Sequence, residues 1–224
     1  MQAIPVKESG GILNRTIKAV LLDYGGVIAD EGFQNGLRGL ARAQGIDAKK
    51  MMDVAHLGVY ETGFILGTGT EATFWAYMRE GTGLKGGDAE LTKRILDGFI
   101  LRSWMMARVR HWRAQGIITG ILSDQSPWLD RLNARDHFYD DFDHVFNSYN
   151  IGKGKRDPSL FHDVTERLAL APGEILFVDD TKSNIENAQS AGWQTIYYVN
   201  RSSFEEAIRK YLPQPDSAKL GGHG

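Results

Sequence analysis

Six side chains with acidic, hydroxyl or cationic chemistry stand at the ends of short apolar runs in this sequence. Asp23 closes the run in V-L-L-D-Y-G-G-V-I and Ser123 the run in G-I-L-S-D-Q-S, while Asp179 and Asp180 close I-L-F-V-D-D-T-K-S-N. Lys153 and Lys155 lie in N-S-Y-N-I-G-K-G-K-R-D-P, just before a helix start at Asp157 and Pro158. A lone Asp after a strand is ordinarily a turn former or a helix cap. Three carboxylates brought to one place with a hydroxyl and a lysine ask for more. Held together, they cost on the order of several kcal/mol unless their charge is offset, and a hard divalent cation with oxygen ligands is the natural solution.

The elements around these residues are the kind that would bring them together. β-Branched runs at Ile17 to Leu22, Ile117 to Leu122, Val145 to Asn147, Ile175 to Val178 and Thr195 to Val199 are each followed by helical periodicity, the pattern of a parallel sheet with crossover helices. Helix starts are marked by Ser126–Pro127, Asp157–Pro158, Thr181 and a capping box from Ser203 to Glu206. Gly192 stands where a helix end needs a left-handed residue. Ligands of open α/β sheets bind outside the carboxyl ends of the strands, so the three carboxylates, the hydroxyl and a lysine should share one edge.

Almost a hundred residues separate the first two strands, too many for a crossover. Helical spacing recurs there in Phe33, Leu37, Leu40 and Ala41, in Phe74, Trp75, Tyr77 and Met78 after Thr70, and in Leu91, Ile95, Leu96 and Phe99. The expected fold is therefore α/β, a Rossmann-like five-stranded parallel core with an inserted all-helical cap. The core spans 16–31 and 104–213 and the cap 32–103, between an N-terminal extension at 1–15 and a flexible tail at 214–224. Leu101, Trp104, Met105, Val109 and Trp112 form the buried face of a helix leading back to the sheet, with Arg102, Arg110 and Arg113 on a solvated face. Tyr60, Phe64, Phe74 and Trp75 read as cap core before they read as a substrate lining.

Composition excludes several function classes. The chain has 224 residues, 42% hydrophobic, with 26 basic and 28 acidic side chains and no cysteine. Thiol nucleophiles, disulfides and cysteine metal sites are excluded, and a net charge of −2 gives no bulk reason to expect nucleic acid as a partner. No run of eighteen or so apolar residues predicts a membrane span, and the first fifteen residues offer no signal-peptide core, so the expected setting is cytoplasmic. G-T-G-L-K-G at 81–86 matches a dinucleotide fingerprint but follows no strand, and the six histidines show no metal-ligand spacing.

Asp23 in D-Y-G-G-V-I, Ser123 after I-L, Lys155 in G-K-G-K-R-D-P-S-L-F, and D-D-T-K-S-N-I-E-N-A-Q-S-A-G-W resemble the four motifs of the haloacid dehalogenase-like (HAD) hydrolase superfamily, in order, from about Ile17 to Tyr198. That family places its helical cap between the first two motifs. The resemblance implies that Asp23 is the nucleophile, taking a phosphoryl group as an aspartyl-phosphate. It further implies that Ser123, Lys155 and Asp124 bind the phosphoryl group, and that Mg²⁺ is held by Asp23, the backbone carbonyl of Gly25, Asp180 and Asp179, with Asn184 behind them. The implied partner is a small phosphorylated substrate; oligomeric state is left open.

The sequence departs from the family at two points. Most of the family's phosphatases carry a second Asp two residues after the nucleophile as general acid and base, and here that residue is Gly25. General acid–base catalysis is worth about a hundred- to ten-thousandfold, so its loss predicts a slow enzyme selective for good leaving groups. Asp30, Glu31 and Asp124 are candidate substitutes, against plain readings as hinge linker and helix cap. Arg156 stands where the family usually has Pro. Two other functions fit the same residues: a metal-independent 2-haloacid dehalogenase, in which Asp23 attacks carbon, and a non-catalytic binding protein on the same fold.

Overall fold

The computed structural model describes residues 16–212, so the 1–15 extension and the 214–224 tail lie outside the described residues. Its centre is a parallel five-stranded sheet in the order β3-β2-β1-β4-β5. The strands are β1 (Ala19–Leu22), β2 (Ile118–Ser123), β3 (His144–Asn147), β4 (Ile175–Asp179) and β5 (Gln194–Tyr197). Every residue of β1 and β4 is buried, as expected of parallel strands covered on both faces. Alternation along β1 divides the core: Val20 and Leu22 face one apolar cluster, with Val109, Trp112 and Phe204, while Ala19 and Leu21 face the other, with Phe161, Phe177 and Trp193.

The insertion after β1 carries four helices, α1 (Gly32–Gln44), α2 (Ala48–Glu61), α3 (Glu71–Thr82) and α4 (Asp88–Leu96), with a 3₁₀ turn at Phe64–Leu66. The segments entering and leaving this insertion run antiparallel, with Asp30 N donating to Ile100 O and Arg102 N to Ile28 O, both at 2.9 Å. Helix α5 (Ser103–Ala114) then returns to the sheet. The remaining helices are α6 (Trp128–Asp136), α7 (Ser148–Ile151), α8 (Ser159–Leu168), α9 (Lys182–Ser190) and α10 (Arg201–Ile208). Among the described residues, no helix is long and apolar enough to cross a membrane.

Three details differ from the sequence reading. Helix α10 starts at Arg201, two residues before the expected capping box, because Asn200 accepts from Ser203 N and takes the cap itself. Phe99 lies beyond the end of α4. Arg110 and Arg113 are exposed as expected, in surface pairs with Asp141 and Asp143, but Arg102, just before α5, is largely covered and binds backbone carbonyls at the entry to the insertion. Gly192 does adopt the left-handed conformation, at φ +85°.

Candidate active site

The site is built at the carboxyl end of the central strand. Leu22 pairs with Ile121 of β2 and Val178 of β4, so Asp23 emerges beside Ser123 on one side and Asp179 on the other. Asp23 Oδ1 accepts from Ser123 Oγ at 2.5 Å and from Tyr24 N at 2.8 Å, and lies 2.9 Å from Lys155 Nζ. Its second oxygen takes none of these bonds, and the residue lines a cavity of about 390 Å³, room for a small metabolite.

Lys155 is almost fully buried and reaches the site from the loop between α7 and α8. Its Nζ lies 2.6 Å from Asp179 Oδ2. Asn184 Nδ2 donates to both oxygens of Asp179, at 3.2 and 3.1 Å, and Thr181 N donates to Oδ1 at 2.7 Å. Asp179 is thus engaged on both oxygens in holding Lys155 and the start of α9. Asp180 has one long side-chain contact, from Thr181 Oγ1 at 3.5 Å, and lines the cavity. Gly26 permits this arrangement twice over: its φ is +81°, and a Cβ there would sit 2.0 Å from Asp180 Oδ2.

Charge in the site is unbalanced. Oxygens of Asp23, Asp179 and Asp180 lie within 4.8 Å of one another, with Lys155 as the ammonium among them. Burial pushes the Asp23 carboxyl well above the usual range; Lys155 opposes the shift and Asp179 adds to it. Burial and then Asp179 raise Asp180 in the same direction. For Lys155, burial alone would lower the ammonium, but Asp179, Asp23 and Asp124 outweigh it and hold it above its ordinary value. A buried acidic set short of positive charge, with cavity-facing oxygens on Asp23 and Asp180, fits a hard divalent cation such as Mg²⁺.

Asp124, expected on the phosphoryl group, has both oxygens engaged: Oδ1 accepts from Lys155 N at 2.8 Å and Oδ2 from Tyr60 OH at 3.0 Å. It ties helix α2 of the insertion to the loop that carries the lysine. Arg156 stacks its guanidinium 4.0 Å from the centre of the Tyr60 ring, so the Arg found in place of Pro packs on the insertion at the cavity wall. Of the four aromatic residues, Phe74 and Trp75 are buried and do not line the cavity, Phe64 is buried and lines it, and Tyr60 is half-buried and lines it, the substrate-lining reading that the sequence placed second. Apolar residues stand on more than one side of the Tyr60 helix, Met51 and Val59 buried and Leu57 exposed, so they did not indicate which way the ring would point.

A parallel α/β sheet with a buried carboxylate at the end of its central strand, and a helical insertion above it, is an open α/β fold with its ligand site at the carboxyl ends of the strands. Residues 17–192 match the family described as haloacid dehalogenase-like hydrolase, and the chain belongs to that family. An enolase-phosphatase E1 of Thioalkalivibrio sulfidiphilus is 29% identical over 122 residues, covering 53% of this chain and 52% of the relative. The chain thus spans about half the length of the curated relatives it matches. A HAD-like family hydrolase of Porphyromonas gingivalis shares the fold at a TM-score of 0.70 and 21% identity, over 88% of this chain and 98% of that one. A HAD family enzyme of Bacteroides thetaiotaomicron, solved in complex with magnesium and inorganic phosphate, does so at 0.63 and 23%, over 80% and 93%.

Proposed function

We propose that this hydrolase is a Mg²⁺-dependent phosphatase of a small phosphorylated metabolite, acting through an aspartyl-phosphate on Asp23. The observation that carries this reading is the asymmetry of the Asp23 carboxylate. One oxygen is held by Ser123, Tyr24 N and Lys155, and the other is left for attack within a cavity lined by Asp180. The magnesium and phosphate complex of the Bacteroides enzyme and the enolase-phosphatase relatives support the same type of reaction.

In the first step an Asp23 oxygen forms a bond to phosphorus as the bond to the leaving oxygen breaks. In the second, water attacks phosphorus and the carboxylate departs, so one difficult displacement becomes two easier ones. Lys155 and the Ser123 hydroxyl neutralise and orient the phosphoryl oxygens. Asp23, the Gly25 carbonyl and Asp180 would hold Mg²⁺, which supplies charge neutralisation on the phosphoryl oxygens. Asp179 acts through Lys155, and Asn184 through Asp179.

The decisive experiment pairs phosphatase assay with metal control. Hydrolysis of p-nitrophenyl phosphate should require Mg²⁺, vanish in excess EDTA and vanish in Asp23→Asn. Activity on a 2-haloacid that survives EDTA would instead assign the metal-free dehalogenase. Failure of Mg²⁺ and beryllium fluoride to bind, in a folded protein without activity, would assign the binding-protein reading.

A further inference from the structure

Resting on that phosphatase reading, the geometry around Gly25 points to Glu31 as the acid and base of the reaction, supplied from the first turn of the insertion instead of from the nucleophile's own loop. A Cβ built on Gly25 would lie 3.0 Å from Glu31 Oε2 and 3.4 Å from the Phe99 ring. The Glu31 carboxyl therefore occupies the space into which a side chain at position 25 would project. The absence of a side chain at 25 and the presence of this carboxyl are two halves of one arrangement.

Chain geometry explains how a residue six positions on reaches that space. After the turn at Gly25 and Gly26 the backbone folds back, with Ala29 bridged to both Gly25 and Leu101. Glu31 then caps α1, its Oε1 accepting from Gln34 N at 3.1 Å. This bond fixes the carboxyl and leaves Oε2 with none of the described hydrogen bonds, on the wall of the cavity that Asp23 also lines.

The two other acids near the first motif are otherwise occupied. Asp30 pairs with Arg102 at 3.2 Å, is about half exposed and does not line the cavity. Asp124 has both oxygens engaged by Lys155 N and Tyr60 OH. Glu31 alone of the three offers an unengaged carboxyl oxygen to the cavity.

The proton balance closes over one cycle. As Asp23 takes the phosphoryl group, the Glu31 carboxyl gives its proton to the leaving oxygen, releasing an alcohol and leaving a carboxylate. That carboxylate accepts one proton from the attacking water as the oxygen bonds to phosphorus and the acyl-phosphate bond breaks. Phosphate leaves, and Asp23 and Glu31 return to their starting forms. With this acid in place the rate depends less steeply on the leaving group than Gly25 alone predicts.

The test is a leaving-group series on Glu31→Gln, whose amide oxygen can still cap α1 but which carries no acidic proton. With Mg²⁺, wild type should hydrolyse alkyl and aryl phosphates with a shallow dependence on leaving-group pKa. Glu31→Gln should lose about a hundredfold or more on alkyl phosphates. With p-nitrophenyl phosphate it should release one equivalent of nitrophenolate rapidly and then turn over slowly, because hydrolysis of the aspartyl-phosphate lacks its base. Gly25→Asp in a Glu31→Ser background, in which the shorter residue still caps α1 and vacates that space for the new carboxylate, should recover alkyl phosphate turnover. Wild-type rates in Glu31→Gln, or an equal loss on every leaving group without a burst, would overturn the role of Glu31 while leaving the phosphatase reading intact. A wild-type protein that neither hydrolyses phosphate esters nor labels at Asp23 would overturn both.

Discussion

Asp23 carries a burden at neutral pH that the metal-free protein cannot fully relieve. Its folded-state pKa is raised, chiefly by burial. Between the ordinary carboxylate range and that raised value, the folded state keeps a proton that the unfolded state has released, so stability falls as pH rises through this window. Lys155 does not offset the trend. Its pKa is raised too, and its stabilising contribution is fully present at every pH below the unfolded lysine value. Asp23→Asn removes the charge that burial penalises. In EDTA the variant should melt higher than wild type at pH 8, by about 2–4 °C per kcal/mol of relieved strain, and the gap should close towards pH 4. Saturating Mg²⁺ should reverse the order, because ligand binding to the folded state raises the melting temperature of wild type alone. Thermal denaturation across pH, with and without Mg²⁺, checks both signs. These residues were the most legible part of the molecule: Asp23, Ser123, Lys155 and the aspartate pair each end or follow an apolar strand, and strand ends are readable from period and β-branching. The resemblance implies a division within the pair, Asp180 on the metal directly and Asp179 through water, but no motif tells that Lys155 and Asn184 both reach Asp179.

At the scale of elements, the turn after β1 is held from outside by α5. Arg102 donates from Nη1 to Gly26 O at 2.5 Å and Val27 O at 3.2 Å, and its Nε pairs with Asp30. On helical spacing it belonged to a polar face, and nothing local in the sequence indicates that the incoming and outgoing segments of the insertion run side by side and place it against this turn. Its guanidinium ring-stacks 5.1 Å from Tyr198 as well, which fixes its direction. Arg102→Ala leaves two carbonyls of the turn without these donors, and charged hydrogen bonds of this kind are worth about 1.5–3 kcal/mol each. The fold should survive, with a lower melting temperature, while Mg²⁺ affinity weakens because the turn carries Asp23 and Gly25. Arg102→Lys should recover little, since one ammonium cannot span both carbonyls and Asp30 in that planar fork. Isothermal titration of Mg²⁺ into both variants measures this directly. Helix α2 illustrates the opposite failure of legibility. Its buried stripe is Met51, Ala55, Gly58 and Val59, and a Cβ on Gly58 would meet the Tyr77 ring at 2.8 Å. Large apolar residues stand on more than one side of this helix, with Met51 buried and Leu57 exposed, so no single stripe marked the helix or the direction of Tyr60.

Across the whole molecule, the insertion and the sheet share one apolar core. Trp128 of α6 sits among rings contributed by the insertion, 5.2 Å from Phe64, 5.9 Å from Phe74, 5.9 Å from Trp75 and 6.4 Å from Phe33. The same contact is closed by polar bonds, since Glu71 at the start of α3 accepts from Trp128 Nε1 at 2.9 Å and from Arg131 at 2.8 Å. A cluster of this kind couples the stability of the two parts, so thermal unfolding of the wild type should be a single cooperative transition. Trp128→Ala removes the ring on which four others converge and leaves Glu71 without one of its three donors, Thr92 Oγ1 being the third. Truncating a buried Trp costs about 3–5 kcal/mol, which in a domain of this size is a fall of roughly 10 °C. Differential scanning calorimetry should show that fall, together with a broadened or split transition as the insertion loosens before the sheet. Cavity residues on the insertion side, Phe33 and Tyr60, would lose their support in the same step, so substrate KM should rise more than kcat falls. A variant that melts within about 2 °C of wild type, with KM unchanged, would mean that the insertion holds its place over the sheet through the Tyr60–Asp124 bond and the hinge segments and not through Trp128.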